Sequence, residues 1–332
     1  MMPGKSYSPR EIIFAPTSSC NLACGHCRVD RSKGTLPLDD ALAFLADCAE
    51  GGVDRVGFSG GEPFLELGFV SAIIRSAVEL GMYFDRLMTN GTWWKSGDEL
   101  AASLSAIVNA GFDGTLAVSF DDWHGQDGGK IAEFFLEAGR ISGRNDWFEI
   151  VSALDRDGGA PIARLESLAR ALDATLVSTD GAPLAIRNSA ARKNRELGAD
   201  DGSGIDIPIL TIPFSAPGSD PAAWKAERWF SDDWCEGPGN VLYVHPDGSV
   251  AVCCGFANER PELIAGHLRD GYAKLVERAR AMPQVRACYE RGLGAVRKEL
   301  EARGVPLPGK TSDICQFCDW LCESGLSDKT QQ

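Results

Sequence analysis

Between residues 11 and 192, short apolar runs alternate with stretches of helical periodicity, and this alternation restricts the fold more than any other feature of the chain. Residues 11–17 (EIIFAPT), 55–59 (RVGFS), 85–89 (DRLMT), 115–120 (TLAVSF) and 148–153 (FEIVSA) read as strands. Each is followed by an apolar stripe at helical spacing, such as Val70, Ile73, Ile74 and Ala77, or Ile131, Phe134, Phe135 and Ala138. A sixth strand is expected within residues 174–186. Repeated βα units imply a parallel sheet with helices outside it. Two further units would be needed for a closed eight-stranded barrel, and no G-x-G-x-x-G follows the first strand, so neither a full barrel nor a dinucleotide fold is expected. The reading is α/β: a partial (β/α)6 barrel over residues 1–192, an irregular linker over 193–234, and a small α+β domain over 235–332. The linker is marked by Gly, Pro, Ser and Asp. In the last domain a hairpin is expected at 241–252 around Asp247-Gly248, then helix from about residue 272, interrupted at Pro283. A polar tail, SDKTQQ, is expected to fray.

Net charge is −14, which disfavours a nucleic-acid partner. No apolar run is long enough to span a bilayer and no signal core opens the chain, so a cytoplasmic protein without a membrane partner is expected. In a reducing compartment the 11 cysteines point to metal or redox chemistry rather than disulfides. They are clustered. Cys20, Cys24 and Cys27 follow the first strand, whereas Cys235, Cys253, Cys254, Cys315, Cys318 and Cys322 lie in the last third. Cys48 and Cys288 stand alone and read as packing residues.

Cys20-Asn-Leu-Ala-Cys24-Gly-His-Cys27 places three thiols on one loop, enough for three irons of a 4Fe–4S cubane with the fourth iron open. Zinc held with the help of His26 is the alternative. C-x3-C-x2-C after strand one, with the ring of His26 before the third cysteine, resembles the radical S-adenosylmethionine (radical SAM) superfamily. Ser59-Gly60-Gly61-Glu62-Pro63 after strand two resembles that superfamily's Gly-Gly-Glu-Pro segment. Thr89-Asn90 at the end of strand three, Ser119 and Asp121 at the end of strand four, and Arg140 beyond it are similar to its cofactor-contacting positions. The resemblance implies that the cofactor S-adenosylmethionine binds the open iron. One electron, from a flavodoxin- or ferredoxin-type reductant, then cleaves it to methionine and a 5′-deoxyadenosyl radical that abstracts a substrate hydrogen. Gly60, Gly61, Glu62, Pro63, Thr89, Asn90, Ser119, His26 and Arg140 would contact the cofactor, with Asp121 near the reacting centre.

Cys235, twelve residues, Gly248, four residues and Cys253, followed later by Cys315-x2-Cys318-x3-Cys322, resembles the twitch or SPASM domains that carry auxiliary clusters. A full SPASM pattern is not matched, so the resemblance implies the shorter twitch form and one second 4Fe–4S cluster. Cys235, Cys253, Cys315 and Cys318 are the expected ligands, with Cys322 competing, and a zinc ribbon built on four cysteines is the alternative. Strand alternation would turn Cys254 away from a ligand at Cys253, where its thiol could return a hydrogen atom to a substrate radical. Relatives of this type act on peptides or oxidise small molecules; modification of a peptide, such as epimerisation or crosslinking, is expected, with oxidation of a small molecule or a non-catalytic iron–sulfur or zinc protein as the alternatives. Only ten residues precede strand one, too few for a fused peptide-recognition domain ahead of it.

Overall fold

The computed structural model describes residues 7–188, 204–214, 216, 220–231, 235 and 240–327. They divide into two compact units, one drawn from residues 1–18, 28–56 and 215–332, the other from 19–27 and 57–214. In chain order, β1 (Glu11–Phe14) and α1 (Leu38–Glu50) belong to the former, and β2 (Arg55–Phe58) leads into the latter.

The unit containing residues 57–214 holds β3 (Tyr83–Thr89), β4 (Thr115–Ser119), β5 (Phe148–Ala153), β6 (Thr175–Thr179), β7 (Ala182–Arg187) and β8 (Asp206–Ile212) in the spatial order β3-β4-β5-β8-β7-β6. Its helices are α2 (Leu67–Glu79), α3 (Gly97–Ala110), α4 (Gly128–Ser142) and α5 (Ile162–Ala171). β3, β4, β5 and β8 run parallel, so Thr89, Ser119, Ala153 and Ile212 end their strands along one edge. Ligands in open parallel sheets bind outside such an edge. The helices start and stop where the sequence supplies caps. Ser96 and Asp127 accept backbone N–H groups at the N-termini of α3 and α4, and Gly111 and Gly143 close them in the left-handed conformation. The apolar stripes are buried, with Ile73, Ile74, Leu104, Ile107, Ile131 and Phe134 among the most enclosed side chains.

The sixth strand departs from expectation. Residues 174–186 contain most of an antiparallel hairpin, β6–β7, turned at Asp180-Gly181, both with positive φ. The parallel neighbour of β5 is instead β8, inside the segment read as linker. Its sequence, DIPILTI, alternates in burial, which is strand behaviour. Residues 193–203, 215, 217–219 and 232–234 of that expected linker lie outside the described residues, as does the tail beyond Ser327.

The other unit pairs β1 in parallel with β9 (Val241–Val244), and continues antiparallel through β10 (Ser249–Ala251) and β11 (Ile264–His267). The β9–β10 turn is the expected Asp247-Gly248, with Asp247 accepting both N–H and O–H of Ser249. α6 (Tyr272–Ala281) follows, then a short helical turn (Pro283–Val285), a π-helical turn (Arg286–Arg291), α7 (Leu293–Ala302) and α8 (Ile314–Glu323). Neither unit's sheet closes on itself: β6 and β11 are edges. Among the described residues no helix is long and apolar enough to cross a membrane.

Candidate functional site

The Gly60–Glu62 turn follows β2, and its conformation explains its composition. Gly60 has φ +108, a region costly for any residue with a Cβ. Glu62 is fully buried, and its backbone N–H donates to the Ser19 carbonyl at 2.8 Å, tying the turn to the start of the cysteine loop. Its carboxylate accepts from the Thr89 hydroxyl (2.8 Å), the Asn90 N–H (2.8 Å) and the Phe64 N–H (3.2 Å). Both oxygens accept hydrogen bonds within the protein, so Glu62 braces the ends of β2 and β3. Pro63 opens the short turn after it, and Phe64 stacks on Trp93 with ring centroids 4.5 Å apart.

Burial pushes Glu62 up to about 7, against the opposing effect of the Asn90, Thr89 and Phe64 donors. The folded chain thus holds a proton between about pH 4.5 and 7 that an unfolded carboxylate has released, and this contribution to stability is lost as pH rises through that window. The shift is worth about 3 kcal/mol. Between pH 5 and 8, wild type is expected to lose about 2–3 kcal/mol of stability relative to Glu62→Gln. Denaturant titrations of both proteins check it, and parallel pH profiles would refute the assignment.

Asn90 reaches the cysteine loop directly. Its Nδ2 donates to Asn21 Oδ1 at 2.8 Å and lies 3.5 Å from Cys20 Sγ, which also accepts the Leu22 N–H at 3.4 Å. Cys24 and Cys27 are joined by a turn, the Cys27 N–H donating to the Cys24 carbonyl. All eleven cysteines stand outside disulfides; Cys20 and Cys24 are partly exposed and Cys27 is exposed. Three thiols on an open loop, two N–H groups aimed at one sulfur and a rigid Gly-Gly turn beside them fit a 4Fe–4S cluster and its small-molecule ligand, because N–H donors to sulfur stabilise the thiolate form that binds iron.

The end of β4 supplies a second group. Asp121 is buried; Oδ1 accepts the N–H groups of Trp123 and His124 and contacts His124 Nδ1 at 2.7 Å, while Oδ2 accepts the Ala153 N–H. Burial raises the Asp121 carboxyl, but the His124 hydrogen bond and charge and the backbone donors outweigh it and hold it below the ordinary carboxylate range. His26 packs edge-on to His124 at 4.8 Å, with Trp123 and Phe214 at 6.0 and 6.5 Å. His26, Asp121 and His124 bring donor atoms within 4.8 Å of one another. Oδ1 already serves three nitrogens, so the trio forms a hydrogen-bonded and stacked brace for the cysteine loop. Ser119 ends β4, and Gln126 donates to the Ser119 carbonyl (2.5 Å) and the Asn90 carbonyl (2.9 Å), linking the ends of β3 and β4.

Trp123, His124, Gln126 and Phe214 are site residues that sequence reasoning misses. The run Asp-Asp-Trp-His-Gly-Gln directly after a strand is the available signal for the first three. Arg140 is not brought to this edge. It lies in the last turn of α4, is 66% exposed, and pairs with Glu137 at 2.5 Å. It lines a separate cavity of about 400 Å³ with Phe148, at the opposite end of β5 from Ala153. In place of the expected cofactor contact, Arg140 makes this surface ion pair.

The unit containing residues 215–332 gathers the other thiols. Cys253 is buried and Cys254 exposed, but both lie beyond β10, which ends at Ala251, and Val250, Ala251 and Val252 are all buried, so the expected strand alternation is not what separates them. A methyl built on Gly255 would lie 3.4 Å from Cys315 Sγ and 3.7 Å from Cys253 Sγ, so those two thiols flank one glycine. Cys315, Cys318 and Cys322 share one face of α8, whose N-terminus is capped by Asp313. Hydrogen bonds from Cys288, Cys322 and Gln284 hold the Cys318 thiol well below its ordinary range despite burial, whereas burial pushes Cys253 and Cys315 up. Cys235 donates its N–H to the Cys288 carbonyl. Cys48 is a packing residue of α1, but Cys288 is not simply one, for its sulfur touches Cys318.

No family model matches the chain. Two curated relatives are 32% identical to it: an AdoMet-dependent heme synthase of Methanosarcina barkeri over 127 residues, and a PqqA peptide cyclase of Rhodopseudomonas palustris over 128. Each match covers 36% of this chain, and 36% and 33% of the relative. A nucleotide dehydratase, RSAD2 of Siniperca chuatsi, described as S-adenosylmethionine-dependent, is 37% identical over 59 residues, 18% of this chain and 17% of its own. The chain thus spans about a third or less of these relatives' length. Among solved structures, anSMEcpe with bound AdoMet and Cp18Cys peptide matches with a TM-score of 0.52 at 14% identity, covering 97% of this chain and 99% of that one. Streptococcus suis SuiB matches with the same score and identity, over 93% and 77%. The chain is similar to radical SAM enzymes in sequence over about a third of its length and in fold over nearly all of it. Enzymes of that superfamily use S-adenosylmethionine and a 4Fe–4S cluster, and the loop of Cys20, Cys24 and Cys27 fits both.

Proposed function

We propose that this chain is a radical SAM enzyme that modifies a peptide at an unactivated C–H bond, using a second 4Fe–4S cluster held by Cys235, Cys253, Cys315 and Cys318. The observation that supports the initiating chemistry is the loop of three thiols tied through Ser19, Asn21 and Asn90 to the Glu62-braced turn. When bound, S-adenosylmethionine and its cluster supply a 5′-deoxyadenosyl radical after one-electron reduction by a flavodoxin- or ferredoxin-type donor. The chain's own residues do the rest. Gly60 and Gly61 let the backbone approach the cofactor. Thr89 and Asn90 fix the end of β3, and Ser119 presents polar groups at the end of β4. His26 with Trp123 and Phe214 forms an aromatic wall that excludes water. Asp121 acts as a positioning residue through His124.

Peptide rather than small-molecule chemistry is favoured by the similarity to a PqqA peptide cyclase and by the peptide bound in the anSMEcpe structure. The exposed thiol of Cys254 is our candidate hydrogen donor in such a reaction. The test uses reduced enzyme, S-adenosylmethionine and a synthetic peptide from the short reading frame nearest the gene, in D₂O. If Cys254 returns hydrogen, the product carries one deuterium at an inverted carbon, and Cys254→Ala forms none while still cleaving the cofactor. A product two mass units lighter, unaffected by Cys254→Ala, assigns oxidation or crosslinking and removes Cys254 from the mechanism. No change in the peptide overturns the peptide reading, leaving oxidation of a small molecule.

A further inference from the structure

Cys288 lies outside every cysteine motif of the sequence, thirty residues before Cys318. Its thiol is buried, and Sγ lies 3.6 Å from Cys318 Sγ. Its carbonyl accepts the Cys235 N–H at 3.5 Å. Gln284, four residues earlier and 1% exposed, directs Nε2 at Cys318 Sγ (2.9 Å) and Cys288 Sγ (3.6 Å). The amide's orientation is fixed by the Ser327 hydroxyl, which donates to Gln284 Oε1. The backbone carrying Cys288 is the π-helical turn Arg286–Arg291 after Pro283. Such turns insert a residue into a helix, redirect its side chains and recur at functional sites. A cysteine that only fills space sits against carbon. This one sits against a second thiol, an oriented amide and the backbone of a third cysteine.

We infer that Cys288 is a ligand of the second iron–sulfur cluster in place of one of the four cysteines proposed above, with Gln284 as an amide donor to the ligand sulfurs. The inference rests on the proposal that this unit holds such a cluster. Ligation replaces the S–H bond by an Fe–S bond, and the proton leaves to solvent. Two thiolates on one tetrahedral zinc would also lie about 3.7 Å apart, from Zn–S bonds of about 2.3 Å. A single ion needs at least three donors this close, however. Among the described residues the group of three metal donors within 4.8 Å is His26, Asp121 and His124, not a set of cysteines. Binding separate irons requires the Cys288 and Cys318 sulfurs to move apart from their 3.6 Å contact.

The test is iron and sulfide counting with electron paramagnetic resonance on the anaerobically purified full chain. Wild type should carry about eight irons, four per cubane. Cys288→Ala should fall to about four, or to about seven with the signal of a three-iron cluster. Cys48→Ala, another buried thiol, should keep all eight. Retention of the four irons on the Cys20 loop shows that the Cys288 variant has folded, and Cys288→Ser, which preserves volume, repeats the measurement if alanine is not tolerated. Gln284→Leu should keep eight irons while the second cluster's midpoint potential falls, because an N–H donor to sulfur favours the reduced state. Eight irons and an unchanged spectrum in both Cys288 variants overturn the assignment alone. About four irons in wild type, or one stoichiometric zinc, overturns the second cluster and the assignment with it.

Discussion

Alanine at Cys20, Cys24 and Cys27 together removes about four irons per chain and abolishes conversion of S-adenosylmethionine to 5′-deoxyadenosine, while the fold persists. The three side chains lie on a loop, exposed or partly so, and none belongs to the apolar core. Substitutions at such positions usually change stability by less than about 0.5 kcal/mol each. The loop's anchoring does not depend on them: Glu62 still donates its backbone N–H to Ser19, and Asn90 still holds Asn21. Loss of chemistry therefore reports loss of the cluster and not of the protein. Reduced wild type and variant are incubated with S-adenosylmethionine, nucleoside product is quantified by chromatography, and circular dichroism verifies folding. Wild-type cleavage by the variant would remove the basis of the functional reading.

How far the site was legible follows from the range of the interactions that make it. The strands and helices through α5 declared themselves because periods of 2 and 3.6 are local, as in TLAVS followed by the Ile131, Phe134, Phe135 stripe. The true sixth parallel strand did not. DIPILTI carries a proline, is half exposed, and is surrounded by the Gly, Ser and Asp of a loop. The Asp180-Gly181 turn before it is a hairpin signal that divides 175–187 into two strands, where a single strand is the expectation stated above. The cysteine loop and Gly-Gly-Glu turn were visible as motifs, but their division of labour was not. Whether Glu62 faces a ligand or its own chain depends on Thr89 and Asn90, 27 and 28 residues away. Cys288 illustrates the limit. Nothing within ten residues distinguishes it from Cys48, and only the tertiary approach of α8 sets one against sulfur and leaves the other in the core.

The second large effect concerns the ion pair that supports α8. Asp319 lies between Cys318 and Cys322 and is 1% exposed. Arg260 grips it with two nitrogens, at 2.6 and 3.1 Å, and Arg28 approaches at 3.7 Å. A buried carboxylate is tolerable only while such partners remain, and removing one typically costs about 3–5 kcal/mol through the uncompensated charge. Arg260 is about a quarter exposed and Arg28 stays nearby, so solvent screening and the remaining cation reduce the expected loss to roughly 2–4 kcal/mol for Arg260→Met. This is a large share of the roughly 5–15 kcal/mol that a folded domain commands. The pair itself contributes far less than its rupture costs, because both charges were desolvated to form it. Arg260→Met combined with Asp319→Leu should therefore recover most of the loss, with both residues apolar and α8 still packed through Phe317 and Leu321. Denaturant unfolding of the single and double variants closes the cycle. If Arg260→Met alone shifts stability by less than about 0.5 kcal/mol, the pair behaves as a solvated surface bridge, and the cysteine-bearing face of α8 is held by its apolar contacts alone.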